Sequence, residues 1–399
     1  MTSQISADPA NSDASLVHQP NCDCLRTGGL SRRELMQLLV AAAVTTASLE
    51  HAKPASANVR TQPPGVKLCQ RVSLNPSDEE LLFVKQLGYQ YVFSNTPRLM
   101  SVQELVAAKR RFADAGLVLD NIRYFTGGKA GYKTMSDILL DTKDRDQSIE
   151  DAKTWIRNSG EAGFYYTGSS LGIVGIWMDN PTETRGAKTR DFNAASPNVH
   201  ATGFPGIHGF NTPIFGRVYT REEVLGNFKK YFVAEIVPVL EQSGVCIGFH
   251  PDDAPAYDEI GGLPRIFGTL EKIKHVFALA NDSPNVGLMM CCGTWLEGGD
   301  RMGASVTDAV RYFWSRKKFW EVHFRNVSSP IPHFHETFMD NGYYPMWKIM
   351  QTLVDIDYNH TVNLDHTPEM VGAPYSYPAY AMGYMKALLQ VAEAHRGKA

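Results

Sequence analysis

Val245-Cys246-Ile247-Gly248-Phe249, closed by His250-Pro251-Asp252-Asp253, is a short apolar run that breaks off into residues with chemistry. The same pattern recurs three times. Val286 to Met290 leads to Cys291-Cys292-Gly293-Thr294, Phe319 to Val322 to His323-Phe324-Arg325-Asn326, and Thr361 to Leu364 to Asp365-His366. Apolar runs of this length, bounded by polar residues, read as buried strands. The candidate residues are separated by 41, 32 and 42 positions, room each time for a strand, a helix and two loops. That rhythm predicts parallel strands joined by helices.

Working outward, further strands fall near 66–72, 89–94, 117–122 and 163–168, with helices between them. Ser77 with Glu80 and Ser101 with Glu104 form capping-box patterns, while Gly88 and Gly116 sit where helices end. A last helix is expected from Tyr380 to about His395. Eight strands alternating with helices predict an α/β fold, a closed (β/α)8 TIM barrel. A doubly wound open sheet is the alternative, since patterning does not show closure. The segment 172–220, rich in Gly, Pro, Asn and Thr, interrupts the rhythm and reads as an active-site loop or lid.

The chain has 399 residues, 43% of them hydrophobic and 20% charged, with a formal net charge of −3, an ordinary globular composition. No basic run with interleaved aromatics supports a nucleic-acid partner. No stretch approaches the roughly 20 apolar residues of a membrane span, so stable membrane insertion is not expected. Residues 1–30 are polar and aperiodic and read as disordered. They are followed by Ser31-Arg32-Arg33-Glu34-Leu35-Met36, a mildly apolar run to Leu49, and Ala55-Ser56-Ala57. Paired arginines, a weak apolar segment and a small-residue cleavage site resemble a twin-arginine signal. The expected organisation is therefore a leader, 1–57, and one catalytic domain, 58–399. The expected location is periplasmic or secreted, with the twin-arginine translocase as a transient partner. Cleavage after Ala57 leaves Cys69, Cys246, Cys291 and Cys292, which show no disulfide-framework spacing.

In a parallel barrel, the four strand ends at His250, Cys291, His323 and Asp365 lie on the face where catalysis occurs. Taken singly, each has a plainer explanation: a hydrogen-bonded histidine, a packed thiol, a helix cap. On four consecutive strand ends, two imidazoles, a thiolate and a carboxylate converge on one cation. Mixed nitrogen, oxygen and sulfur ligation suits a borderline divalent ion such as Mn2+, Fe2+, Co2+ or Zn2+, and not Mg2+ or Ca2+.

These motifs, with Gly262-Leu263-Pro264-Arg265-Ile266 and Phe334-His335-Glu336, resemble the mannonate dehydratases, within the xylose-isomerase-like barrels. The resemblance runs from about Val66 to the C-terminus and is densest after residue 235. It implies a metal, Mn2+ or Fe2+, on His250, Cys291, His323 and Asp365, the first cysteine of the pair being the ligand. It implies proton transfer by His366 and Tyr380. Arg325 is expected to pair with the substrate carboxylate, and His335 to contact substrate hydroxyls. The substrate periphery departs from the family at Asn121-Ile122-Arg123-Tyr124-Phe125, at Asn341-Gly342-Tyr343-Tyr344-Pro345 and around Gly383-Tyr384.

The implied activity is hydro-lyase chemistry on a sugar acid, D-mannonate to 2-keto-3-deoxy-D-gluconate and water. The alternatives are an exported isomerase or epimerase of the same superfamily, and a non-catalytic sugar-acid binding protein. A homo-oligomer is left open by the sequence.

Overall fold

The computed structural model describes residues 62–124, 128–204, 206–366 and 368–396. The leader expected at 1–57 and its cleavage site lie outside the described residues. Eight strands form the centre: β1 Lys67–Arg71, β2 Tyr91–Asn95, β3 Val118–Arg123, β4 Tyr166–Ser170, β5 Cys246–His250, β6 Val286–Cys291, β7 Phe319–Phe324 and β8 Thr361–Leu364. Their order is β3-β2-β1-β8-β7-β6-β5-β4, and every pairing is parallel. The two end strands also meet, the Thr167 hydroxyl of β4 donating to the Ile122 carbonyl of β3 at 3.4 Å. The sheet is thus a nearly closed barrel, and the open-sheet alternative is set aside. All six residues of β6 and of β7 are buried. That is why these strands read as continuous apolar runs: in a parallel barrel both faces are covered.

Local signals place the helices. Ser101 caps Val102–Asp114 with a full capping box, its Oγ accepting from the Glu104 amide while its own amide donates to the Glu104 carboxylate. At Ser77 only half of the box forms, because the Glu80 carboxylate accepts from the Ser73 amide instead, at 2.7 Å. The C-terminal helix runs Ser376–His395, four residues earlier than the sequence suggests. Tyr380 therefore lies inside the helix and not at its entrance.

The 172–220 segment is more ordered than a lid. Trp177–Met178 pairs with His200–Ala201, Thr182–Thr184 with Ala187–Thr189, and Asp191–Asn193 with His333–Thr337. The last pairing fastens the insertion to the loop after β7, and Phe192 stacks on Phe334 across it at 5.2 Å. Trp177 and Phe192 are both fully buried. Apolar anchors of this size turn an apparent loop into a packed layer.

Candidate metal centre and active site

His250 closes β5, Cys291 closes β6, His323 stands near the end of β7, and Asp365 follows β8. Cys291 and His323 are direct partners in the β6–β7 ladder, so their side chains leave the sheet together. The ligand atoms of all four residues lie within 4.8 Å of one another. His250 Nδ1 lies 2.7 Å from the Pro251 carbonyl and donates to it, which leaves Nε2 free to ligate. His323 Nδ1 is buried without a hydrogen-bond partner, 3.6 Å from Asp365 Oδ1. Its other nitrogen faces Arg123 at 3.2 Å and Glu321 at 3.9 Å.

The sulfur of Cys291 is cradled by donors: the Thr294 amide at 3.3 Å, the Thr294 hydroxyl at 3.2 Å and the Arg325 guanidinium at 3.8 Å. Burial and the nearby Asp365 push its pKa well above the ordinary range, while Arg325 and Thr294 pull the other way. By itself the group is a thiol; a bound cation is what makes thiolate ligation favourable. Burial holds His323 well below the usual imidazole range, hence neutral and ready to ligate. Cys292, the neighbouring thiol, is packed into the apolar core.

Behind the ligands lies a buried charge network. Arg325 donates to Asp365 at 3.0 Å, Glu297 at 2.6 Å and Asp253 at 3.3 Å. Arg190, carried in by the 172–220 insertion, pairs with Asp253 and with Glu336, the latter at 3.0 Å. Four carboxyl groups thus face two guanidiniums. Burial and the adjacent Asp253 raise the Glu297 carboxyl, so the crowding of carboxylates is relieved in part by its holding a proton. What fits a metal is the donor set, two imidazoles, a thiol and a carboxylate with their ligand atoms within 4.8 Å of one another.

Two of the expected substrate contacts lie off the cavity in front of the candidate ligands. Arg325 is completely buried and committed to carboxylates, and it does not line the cavity in front of the ligands. Its place is secured by Gly293, where any Cβ would meet the Arg325 side chain at 2.6 Å. His335 also lies off the cavity: on the strand His333–Thr337 its amide donates to Ser328 Oγ at 2.9 Å. Strand alternation turns the next residue, Glu336, the other way, and its carboxylate lies 2.7 Å from His366 Nδ1.

The proton-transfer pair divides. His366 is on the cavity wall, its Nε2 3.3 Å from Asp365. Tyr380 is not: it hydrogen-bonds Asp340 and Arg185 and packs edge-on against Phe338 at 5.7 Å, in a separate surface hollow. The tyrosine that lines the cavity is Tyr377, three residues earlier, whose hydroxyl is buried without a partner among the described residues. Burial, with Glu336 and Asp365 nearby, raises its pKa and keeps the phenol protonated. Both tyrosines lie on the helix Ser376–His395, about one turn apart, and only Tyr377 lines the cavity, a distinction that residue type alone does not carry. Arg190, Glu297 and Tyr377 were missed by sequence reasoning; for Arg190 no local signal exists.

The cavity measures about 500 Å3 and is walled by His250, His323, Asp365, His366 and Tyr377 on one side, Gln70, Asn95, Arg123 and Ser170 on the other. That is room for a small polar molecule.

The model of the D-mannonate dehydratase (UxuA) family matches residues 217–395, the part that carries every ligand. Mannonate dehydratase of Enterococcus faecalis is 36% identical over 154 residues, 37% of this chain and 40% of that protein. Mannonate dehydratase of Streptococcus pneumoniae is 26% identical over 308 residues, 72% of this chain and 79% of that protein. The chain is similar to mannonate dehydratases. In fold it is similar to mannonate dehydratase from Streptococcus suis serotype 2, with a TM-score of 0.69 at 22% identity, covering 83% of this chain and 95% of that one. A xylose isomerase domain protein from Planctomyces limnophilus superposes with a TM-score of 0.53 at 12% identity, covering 83% and 99%. The four candidate ligands lie together on this xylose-isomerase-like barrel.

Proposed function

We propose that the chain is a metal-dependent hydro-lyase that converts D-mannonate to 2-keto-3-deoxy-D-gluconate and water. The observation that carries the reading is the cluster of His250, Cys291, His323 and Asp365 with His366 and Tyr377 on the same cavity. The mixed donor set favours Mn2+ or Fe2+ over hard cations. When bound, such an ion supplies Lewis-acid stabilisation of the negative charge that develops on the substrate carboxylate.

The protein's own residues account for the protons. The α-proton leaves carbon 2 and the hydroxyl of carbon 3 leaves as water, so one base and one acid are required. His366 is the base: Glu336 on Nδ1 orients the ring and stabilises its protonated form, and Nε2, 3.3 Å from Asp365, is the nitrogen that takes the proton. Tyr377, held protonated, is the acid that accompanies the leaving hydroxyl. The resulting enol tautomerises to the 2-keto-3-deoxy acid.

The test is incubation of Mn2+-loaded or Fe2+-loaded protein with a panel of aldonic acids, assayed for 2-keto-3-deoxy acids. Release from D-mannonate supports the reading. Interconversion of neutral sugars without loss of water would replace it with the isomerase alternative. The reading extends to export by the twin-arginine pathway, supported by Ser31-Arg32-Arg33 and Ala55-Ser56-Ala57.

A further inference from the structure

The rim of the barrel is divided by charge. The ends of β5 to β8 hold the candidate metal ligands and their carboxylates. The ends of β1 to β4 present Gln70, Arg71, Asn95, Arg123 and Ser170 to the same cavity, with no carboxylate among them. Asn95 and Arg123 are register partners across β2 and β3, so both emerge toward the cavity.

The cations around this cavity differ in what they are free to do. Arg325 and Arg190 are consumed by the network behind the ligands. Arg123 is buried against Glu321 and lies over the Phe93 ring at 3.8 Å. Arg98, in the neighbouring hollow, is paired with Glu104 at 2.6 Å. Arg71 is exposed at the C-terminal end of β1, and its guanidinium makes no hydrogen bond or ion pair with any described residue. It lines both the central cavity and the adjoining hollow of about 800 Å3. Beside it, the amide oxygens of Gln70 and Asn95 are buried and have no partner among the described residues. A buried amide oxygen without a donor is unfavourable unless a ligand supplies one.

We propose that Arg71 is the residue that selects an acid over a neutral sugar, pairing with the substrate's anionic group while Gln70 and Asn95 accept hydrogen bonds from its hydroxyls. The assignment rests on the sugar-acid reading above and names the side chains that make it specific. An uncommitted guanidinium is geometrically matched to a carboxylate, and two acceptor oxygens match a polyol. The cation expected at Arg325 is thereby supplied from the opposite side of the barrel.

Calorimetric binding of D-mannonate and of its neutral counterpart D-mannitol, measured on metal-loaded protein in a Tyr377→Phe background, tests the assignment. Arg71→Met should weaken D-mannonate by about 10–100-fold, the range of a hydrogen bond to a charged group, and change D-mannitol less than two-fold. Arg71→Lys should recover part of the loss. Asn95→Leu should weaken both ligands. An Arg71→Met protein within two-fold of its parent for D-mannonate, or one that loses both ligands equally, overturns the role of Arg71. So does a parent that binds D-mannonate no better than D-mannitol. Acid-selective, Arg71-dependent binding in a protein that never releases a 2-keto-3-deoxy acid would sustain this assignment and remove only the dehydratase chemistry.

Discussion

Glu336 Oε1 lies 2.7 Å from His366 Nδ1, on the opposite side of the imidazole from Asp365. The same carboxylate oxygen also accepts from Arg190 at 3.0 Å, so one residue ties the proposed base to the insertion. Burial acts to lower the His366 pKa, but Asp365 and Glu336 outweigh it and the value is raised. A base acts when deprotonated, so a raised pKa places the acid limb of the rate profile at higher pH. Glu336→Gln should move that limb to lower pH and reduce kcat by about 10–100-fold. Rate profiles with metal content measured alongside check this; an unmoved limb would detach Glu336 from the base.

The two tyrosines of the last helix give a direct contrast. Tyr377→Phe should lose turnover by about 10²–10⁴-fold while keeping metal and fold. Tyr380→Phe should stay within a few-fold of the parent, because its hydroxyl serves Asp340 and Arg185 away from the cavity. Steady-state kinetics on both variants decides; the reverse outcome would restore Tyr380 as the acid.

Cysteine exchange separates ligand from packing. Cys291→Ser should weaken metal binding by about 10²-fold or more, since a ligand that contributes to both charge and geometry is lost. Cys292→Ser should leave metal affinity nearly unchanged and lower the melting temperature, because that thiol packs in the core. Metal analysis after dialysis against a chelator, with thermal melts, distinguishes them.

Arg325→Met is expected to act on the fold and the metal before it acts on substrate. Removing the guanidinium leaves Glu297, Asp253 and Asp365 without their shared partner, a loss of about 3–5 kcal/mol for a broken buried network. Denaturant unfolding of the metal-free protein reads this directly. A stable variant with a selective rise in KM would return Arg325 to substrate binding.

Export is tested on the whole precursor. Replacing Arg32 and Arg33 by Lys should retain an uncleaved chain inside the cell, and the mature chain should begin near Asn58. N-terminal sequencing of fractionated protein gives the answer, and unaltered export of the variant would discard the signal.

The strand rhythm and the four ligand positions were legible in the sequence because both are periodic. A buried parallel strand is a mainly apolar run, and the residues at its C-terminal end are the ones that reach the catalytic face. Cys291 was separable from Cys292 by the family pattern, and the packing of Cys292 in the core agrees. Where side chains go after the chain leaves a strand was not legible. Arg325 sits one residue past β7, and only the carboxylates gathered around it from Glu297, Asp253 and Asp365 decide that it turns inward. Tyr377 and Tyr380 lie about one turn apart on the last helix, and only the helix's tertiary surroundings decide that Tyr377 and not Tyr380 meets the cavity. Arg190 comes from an insertion that looks like loop, and Arg71 is identified by the partners it lacks. The sequence by itself determined the alternation of strands and helices and put four candidate ligands at strand ends, because periodicity is local. The tertiary structure decided which charges are spent on one another and which remain for a substrate, because charge pairing is a property of neighbours in space.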